Sequence, residues 1–228
     1  MENIIKNLMC SGSNCIEGDF FSKNFENGVV THCSYKGISM EQNPNVIFAF
    51  DKLFDEIKPD LVLEIGTFHG GLTLMLRDIL DHNGLEKTRL ITYDVNSPNF
   101  LIQKTTKDQI EIRVKNLFSH NYSDWNSSED KLEILNLITS HNRVIILCDG
   151  GSKKNEFRMI SDLIKQGDII MGHDYSPNQE YFDQYMNGKK WNWMEIQDSD
   201  IEESVSKNNL KPYMNQNFLD VAWVCKIK

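Results

Sequence analysis

An α/β fold, a mostly parallel open sheet with helices on both faces, is predicted by three observations. Short apolar runs alternate with stretches of helical spacing. One run, Leu61-Val62-Leu63-Glu64-Ile65, opens through a glycine turn onto the apolar Leu72-Thr73-Leu74-Met75-Leu76, the order strand, turn, helix that begins a βα unit. The last two strand-like runs, Met194–Ile196 and Val221–Cys225, lack an obvious long helix between them, which fits an antiparallel final pair.

The elements follow in order. Asn43 to Ile57 places Val46, Ile47, Phe50, Leu53, Phe54 and Ile57 at helical spacing, and Lys58-Pro59-Asp60 ends it. Strand one, Leu61 to Ile65, precedes a helix from about Gly71 to Leu80, and Asp81-His82-Asn83-Gly84 is turn chemistry. Strands two and three are Arg89 to Val95 and Ile110 to Val114, with one short helix at best between them. Glu129 to Thr139 reads as a helix with Leu132, Leu135 and Ile138 on one face. Strand four is Val144 to Cys148, a helix runs through Phe157, Ile160, Leu163 and Ile164, and strand five is Asp168 to Met171. A further helix is expected near Tyr181 to Met186.

At 228 residues the chain fits one such domain, residues 43–228, preceded by an arm, residues 1–42. A net charge of -9 argues against broad binding to nucleic acid or anionic membranes, both of which need a basic surface. No run is long enough to span a membrane, and Met1-Glu2-Asn3-Ile4-Ile5-Lys6 lacks the arrangement of a signal peptide. The five cysteines contain no Cys-x-x-Cys pair. Cys148 and Cys225 sit in apolar runs as small core residues, and Cys10, Cys15 and His32-Cys33 match no structural zinc spacing. A reduced, cytoplasmic protein is the expectation.

Ligands of an open parallel sheet bind beyond the carboxyl ends of its strands, so the residues ending each strand are the ones to inspect. After strand one, Gly66 can take backbone angles closed to other residues and lets a ligand approach the main chain. Gly70 and Gly71 stand where a helix begins, with free N–H groups. The loop Glu64-x-Gly66-x-x-x-Gly70 resembles motif I of class I S-adenosylmethionine-dependent methyltransferases. It departs from the dinucleotide fingerprint, whose first glycine is replaced by Glu64. That resemblance implies a seven-stranded sheet with a reversed last strand. It also makes Glu64, Gly66, Thr67, Phe68, Gly70 and Gly71 cofactor contacts. Asp94 and Val95 end strand two, where an acid can accept both ribose hydroxyls or simply cap the following segment. Strand three ends at Lys115-Asn116-Leu117, the region of the adenine edge in the resembling family. Asn116 stands where an acid or serine is usual, and Leu117 and Phe118 are possible walls.

Strand four runs into Asp149-Gly150-Gly151-Ser152-Lys153-Lys154 and strand five into Gly172-His173-Asp174-Tyr175. Asp149, also placed among the cofactor contacts, converges with His173 and Asp174 at neighbouring strand ends. Two carboxylates and an imidazole suit a divalent cation, magnesium or, with the imidazole, manganese or iron. The alternative is a helix cap and an ordinary hydrogen-bonded pair. Tyr35-Lys36-Gly37-Ile38, Pro44 and Leu63 to Gly71 narrow the likeness to the cephalosporin hydroxylase and macrocin O-methyltransferase group. The metal positions also resemble those of catechol O-methyltransferase. This likeness implies magnesium bound at Asp149, His173 and Asp174, with His173 departing from the Asp or Glu of the relatives. It also implies Lys153 as a base, one residue beyond the lysine of catechol O-methyltransferase. His173 is the other base, and a solvated Lys153-Lys154 pair is the alternative.

The expected activity is O-methyl transfer from S-adenosylmethionine to a hydroxyl of a small molecule or sugar, probed for metal dependence with EDTA. Two other classes stay open: a nicotinamide-dependent oxidoreductase, disfavoured by the glycine spacing and the lack of a Tyr-x-x-x-Lys pair, and a non-catalytic cofactor-binding module. The arm, with Asp19-Phe20-Phe21, Phe25 and Tyr35 and glycines at Gly18, Gly28 and Gly37, is either a lid or an aromatic anchor. Trp191 and Trp193 are a substrate wall or core. Self-association is common among the relatives.

Overall fold

A computed structural model describes residues 1–10, 33–98, 110–118, 125 and 128–228. Phe20, Phe21, Phe25, Cys15, His32, Gly18 and Gly28 lie outside the described residues. The main sheet has seven strands in the order β6-β5-β4-β7-β8-β10-β9. These are β4 (Leu61–Ile65), β5 (Arg89–Asp94), β6 (Ile110–Val114), β7 (Val144–Cys148), β8 (Ile169–His173), β9 (Lys211–Pro212) and β10 (Trp223–Ile227). β4 pairs in parallel with both β5 and β7, while β10 lies antiparallel to β8 and β9. The chain builds outward from β4 to β6, then returns to the other side of β4 with β7. The switch point of the sheet therefore lies between β4 and β7, where a crevice opens at the strand ends.

Full burial of β4, β7 and β8 explains their unbroken apolar runs. Two clusters of side chains sandwich the sheet, one with Phe50, Phe54 and Trp223 and the other with Tyr93, Phe157 and Trp191. Helix α2 (Val46–Ile57) ends at Lys58 in a left-handed conformation (φ 50°), because Pro59 disfavours helical angles at the residue before it. Helices α3 (Gly71–His82), α4 (Glu129–Thr139) and α5 (Lys153–Ser161) follow β4, β6 and β7.

A second, three-stranded antiparallel sheet carries the N-terminal residues: β1 (Leu8–Cys10), β2 (Cys33–Tyr35) and β3 (Ile38–Met40), after helix α1 (Glu2–Ile5). It packs on the start of α3. A Cβ at Gly71 would come within 2.5 Å of Ser39 O and 2.7 Å of Ile38 O, so only glycine admits this contact. Tyr35 is fully buried and donates its hydroxyl to Asp78 Oδ2 at 2.5 Å, so this ring anchors the sheet to α3.

Three expectations are corrected. The inward face of α4 is Ile134, Leu137 and Ile138, while Leu132 is 57% exposed. The sequence Leu-Glu-Ile-Leu-Asn-Leu-Ile offers helical spacing on two faces, and packing selects the other one. Met194–Ile196 forms only an isolated bridge, from Ile196 to Tyr175, and the sixth strand is the two-residue β9. Between them stands helix α7 (Asp198–Lys207), whose buried residues are only Ile201 and Ser204, too thin an apolar stripe to read. Its start is nevertheless marked by a capping box between Gln197 and Asp200. The expected helix near Tyr181 is a short α6 (Gln179–Tyr181) running into a π-helical turn at Phe182–Met186, and α8 (Asn215–Leu219) precedes β10.

Candidate active site

Gly66 follows β4 directly and adopts φ 94°; a Cβ there would come within 2.2 Å of Asp149 O and 2.7 Å of Gly150 N. The glycine is thus required by the approach of the neighbouring strand end. Gly66 also lines the space above the strand ends, where the sequence places a ligand. The two strand ends are joined by Asp149 N–H donating to Ile65 O at 2.9 Å.

Two cavities meet at Gly66. The first, of about 310 Å³, is lined by residues including Asp94, Val95, Asn116, Leu117, Phe118 and Glu156. The second, of about 300 Å³, is lined by residues including Gln42, Thr67, Phe68, Asp149, Lys153, His173, Asp174, Trp191, Trp193 and Glu195. Both sit at the lower end of the size range of small-molecule sites.

In the first cavity Asp94 terminates β5. Its Oδ2 accepts the Phe68 N–H and its Oδ1 the Asn96 N–H, both at 2.8 Å. Each oxygen keeps a further lone pair, and the carboxylate ties the glycine loop to the neighbouring strand. Val95 is 59% exposed at the rim and Leu117 is buried in the wall. Asn116 uses its Oδ1 to accept the Phe118 N–H at 3.1 Å, shaping the turn at the strand end. Glu156 is buried and accepts from the Gly150 and Ser152 amides at 3.0 and 3.1 Å. It clasps the loop that leads into α5, and burial pushes its pKa up to about 7.

Glu64 stands apart from both cavities. It is fully buried beneath the glycine turn, where Oε2 accepts from Thr73 Oγ1 at 2.5 Å and Thr92 Oγ1 at 2.6 Å. Its Oε1 has no partner among the described residues. Burial, only partly offset by the two hydroxyls, pushes its pKa up to about 7. Thr67 lines the second cavity while its hydroxyl meets Thr92 Oγ1 at 2.5 Å. Gly70 (φ 93°) lets the chain enter α3, and Gly71 serves the contact with β3.

In the second cavity the sheet register explains the convergence. Cys148 pairs with Gly172 and Trp223 with His173, so Asp149, His173 and Trp223 stand in one row at the strand ends. His173 Nδ1 lies 3.0 Å from Asp149 Oδ1 and 3.6 Å from Asp174 Oδ1. One ligand atom from each of these three residues lies within 4.8 Å of the others. Asp174 itself holds a left-handed backbone (φ 56°), an uncommon conformation for a non-glycine residue. Its Oδ1 accepts Trp191 Nε1–H at 2.6 Å.

Lys153, the first residue of α5, is only 8% exposed. Its Nζ lies 2.9 Å from Asp174 Oδ2, 3.3 Å from Glu195 Oε2 and 3.8 Å from Asp149 Oδ1. Burial disfavours the ammonium, but the carboxylates around it outweigh this and hold its pKa above the usual lysine range. The same balance operates at His173, where burial opposes the charged form and Asp149 and Asp174 prevail, raising its pKa. Burial pulls the Asp174 carboxyl the other way, yet His173 and Lys153 hold its pKa below the ordinary value. Lys154, by contrast, points outward with half of its side chain exposed.

Sequence reasoning missed Gln42 and Glu195. Gln42 is 2% exposed, donating Nε2–H to Asp149 Oδ2 at 2.7 Å while its Oε1 accepts Trp223 Nε1–H at 2.9 Å. Neither residue sits in a motif, and each reaches the site through a loop. Trp191 and Trp193 do line the cavity, the latter 43% exposed.

No curated protein matches the chain in sequence. Among solved structures, one of cmcI with SAH aligns with 14% identity and TM-score 0.54, covering 96% of this chain and 89% of its own. An apo structure of CmcI aligns with 13% identity and TM-score 0.56, covering 86% and 76%. A cmcI structure with Mg and SAM gives 13% identity and TM-score 0.52, covering 96% and 82%. At such identity these matches establish the fold. The profile of the family "Rhamnosyl O-methyltransferase/CmcI" matches residues 27–210, more than half of the sequence. The chain belongs to the rhamnosyl O-methyltransferase/CmcI family, a family of O-methyltransferases.

Proposed function

We propose that the protein transfers a methyl group from S-adenosylmethionine to a hydroxyl of a small molecule or sugar, assisted by a divalent cation. One observation carries the reading: two cavities with opposed chemistry share Gly66, one ending in the Asp94 carboxylate and the other in the Asp149–His173–Asp174 cluster. A nucleoside in the first would direct its sulfonium toward Gly66 and its methyl into the second. The solved relatives named above carry SAH in one case and Mg with SAM in another, which supports both ligands here.

Asp94 would accept the two ribose hydroxyls on its remaining lone pairs, with Val95, Asn116 and Leu117 around the adenine. Thr67, Phe68, Gly70 and Gly71 would shape the passage between the cavities. Glu64, beneath the turn, would act from behind as a support for this loop through Thr73 and Thr92.

Two carboxylates and an imidazole within 4.8 Å form a donor set suited to magnesium or manganese. Asp149, His173 and Asp174 would hold the ion, and when bound it would lower the pKa of the acceptor hydroxyl and fix a neighbouring oxygen. The chemical step is an in-line displacement: the acceptor oxygen bonds to the methyl carbon, the sulfur–methyl bond breaks, and the hydroxyl proton leaves for a base or solvent. Alignment and exclusion of water are the enzyme's main contributions. His173 supplies a lone pair, to the cation or to that proton. Lys153, held protonated by three carboxylates, acts in our reading as a fixed positive charge beside the acceptor oxygen; its raised pKa makes it a poor base. Residues 1–42 would form a separate arm whose last residues, from Ser39 to Gln42, wall the acceptor cavity.

Among the described residues Cys148 and Cys225 are buried and free, which accords with a reducing cytoplasmic setting. Among the described residues no helix is long and apolar enough to cross a membrane. The test is a methyl-transfer assay with a panel of sugar and phenolic hydroxyl acceptors, run with EDTA and after restoring magnesium or manganese. Transfer that falls with EDTA and returns with metal supports the proposal. Transfer indifferent to EDTA removes the cation from it, and binding of S-adenosylhomocysteine without any transfer would mark a non-catalytic module.

A further inference from the structure

Among the described residues, Glu156 is the second carboxyl group on the wall of the first cavity, after Asp94. No step of the proposed reaction uses it. It comes from the first turn of α5 and reaches the cavity through a gap left by Gly150. A Cβ at Gly150 would stand 2.4 Å from Glu156 Oε1 and 3.1 Å from Oε2. The carboxyl group thus fills the space of a side chain at that position, beside a residue that itself lines the cavity.

Two backbone amides fix the carboxyl plane, Gly150 N–H on Oε2 at 3.0 Å and Ser152 N–H on Oε1 at 3.1 Å. A carboxylate offers about four lone-pair sites, so each oxygen keeps capacity for a further donor. Glu156 is only 2% exposed, and a hydrogen bond made to it is shielded from bulk water. The other polar side chains of the wall are engaged. Asp94 lies at the proposed ribose position, Asn116 Oδ1 accepts the Phe118 N–H, the Tyr93 hydroxyl donates to Glu133, and Lys115 is paired with Asp130 and Glu133. Glu156 is the carboxyl group left for the base. Adenine presents an exocyclic amine, which donates, whereas hypoxanthine presents an exocyclic oxygen, which accepts. A carboxyl oxygen that is already aimed and desolvated favours the first and is left unpaired by the second.

We infer that Glu156 is a specificity-determining residue for the cofactor: through the gap at Gly150 it accepts a hydrogen bond from the exocyclic amine of adenine and disfavours purines that carry an oxygen there. The inference rests on the proposed binding of S-adenosylmethionine in this cavity and names the group that selects its base. A carboxyl group that only clasped the Gly150–Ser152 loop would serve every nucleoside equally, and that difference is measurable.

The experiment is calorimetric titration of the full chain with S-adenosylhomocysteine and with S-inosylhomocysteine, which differ at the exocyclic group and in the ring proton that accompanies it. The wild type should bind the adenosyl compound about 10- to 100-fold more tightly, the range for a hydrogen bond to a charged group. The adenosyl analogue with hydrogen in place of the amine should bind the wild type about 10-fold more weakly than S-adenosylhomocysteine. Glu156→Leu removes the acceptor and should narrow the preference between the first two compounds to about threefold or less. Glu156→Gln keeps the volume, offers the exocyclic oxygen a donor, and should narrow it likewise, so a fold lost in one variant leaves the other. Equal wild-type affinity for the adenosyl and inosyl compounds overturns the inference. So does a folded variant in which both affinities fall together and the wild-type ratio survives, the result expected of a loop clasp. Either outcome leaves the proposed cofactor in place, whereas a wild type that binds no S-adenosylhomocysteine overturns the cofactor and the inference together.

Discussion

The two cavities that meet at Gly66 are built in different ways. The first takes its walls from consecutive strand ends, with Asp94 after β5 and Asn116 and Leu117 after β6, and the Asp94 and Asn116 side chains each accept a backbone N–H of their own turn. The second draws side chains from as far apart as Gln42 and Glu195 and fastens them with ion pairs to the buried Lys153 and hydrogen bonds from the indoles of Trp191 and Trp223. One region is therefore shaped by backbone and the other by charge. A shared cosubstrate is best served by the first kind, and a particular acceptor by the second.

The contrast can be broken most severely at Gly66, the one position common to both among the described residues. Gly66→Ala places a methyl group within 2.2 Å of the Asp149 carbonyl at a positive φ, and should cost about 3–5 kcal/mol of stability in urea melts together with all activity. Lys153→Ala should spare the first cavity and damage the second. We expect turnover to fall about 10²- to 10³-fold while S-adenosylhomocysteine affinity is retained. Unchanged turnover would remove Lys153 from the mechanism.

Glu64 supplies a pH-dependent contrast. Its folded pKa of about 7 lies above the ordinary value of 4.5, so the folded protein binds its proton more tightly than the unfolded chain. Stability from this group is present below about pH 4.5 and declines as pH rises toward 7, by up to about 3 kcal/mol. Glu64→Gln should flatten that decline in denaturant melts taken from pH 5 to 8; an equal slope in both proteins would contradict the assignment. Gly71→Ala, which strikes the β3 carbonyls, should cost about 1–3 kcal/mol. It should raise the KM for acceptor and leave cofactor affinity near wild type.

The first region was also the more legible one. Strand ends can be found from apolar runs, so β4, β5, β6, β7 and β8 are legible within two residues, as are the acids Asp94, Asp149 and Asp174 that follow β5, β7 and β8. The environment of Glu64 was not, because a buried carboxylate under two threonines looks the same in sequence as one facing a ligand. The convergence of Asp149, His173 and Asp174 followed from neighbouring strands, yet Gln42 and Glu195 did not, since loops bring them in and no period marks them. Lys153 illustrates the limit well. Its neighbour Lys154 is chemically identical, and only the turn of α5 decides that the first is buried among carboxylates and the second exposed.

The division between the regions is tested most directly by calorimetric titration of S-adenosylhomocysteine into the wild type, Asp94→Ala and Asp174→Asn. Binding should weaken on the order of 100-fold in Asp94→Ala, from lost hydrogen bonds to a charged group, and stay close to wild type in Asp174→Asn. Wild-type affinity in Asp94→Ala, or a comparable loss in Asp174→Asn, would contradict this division.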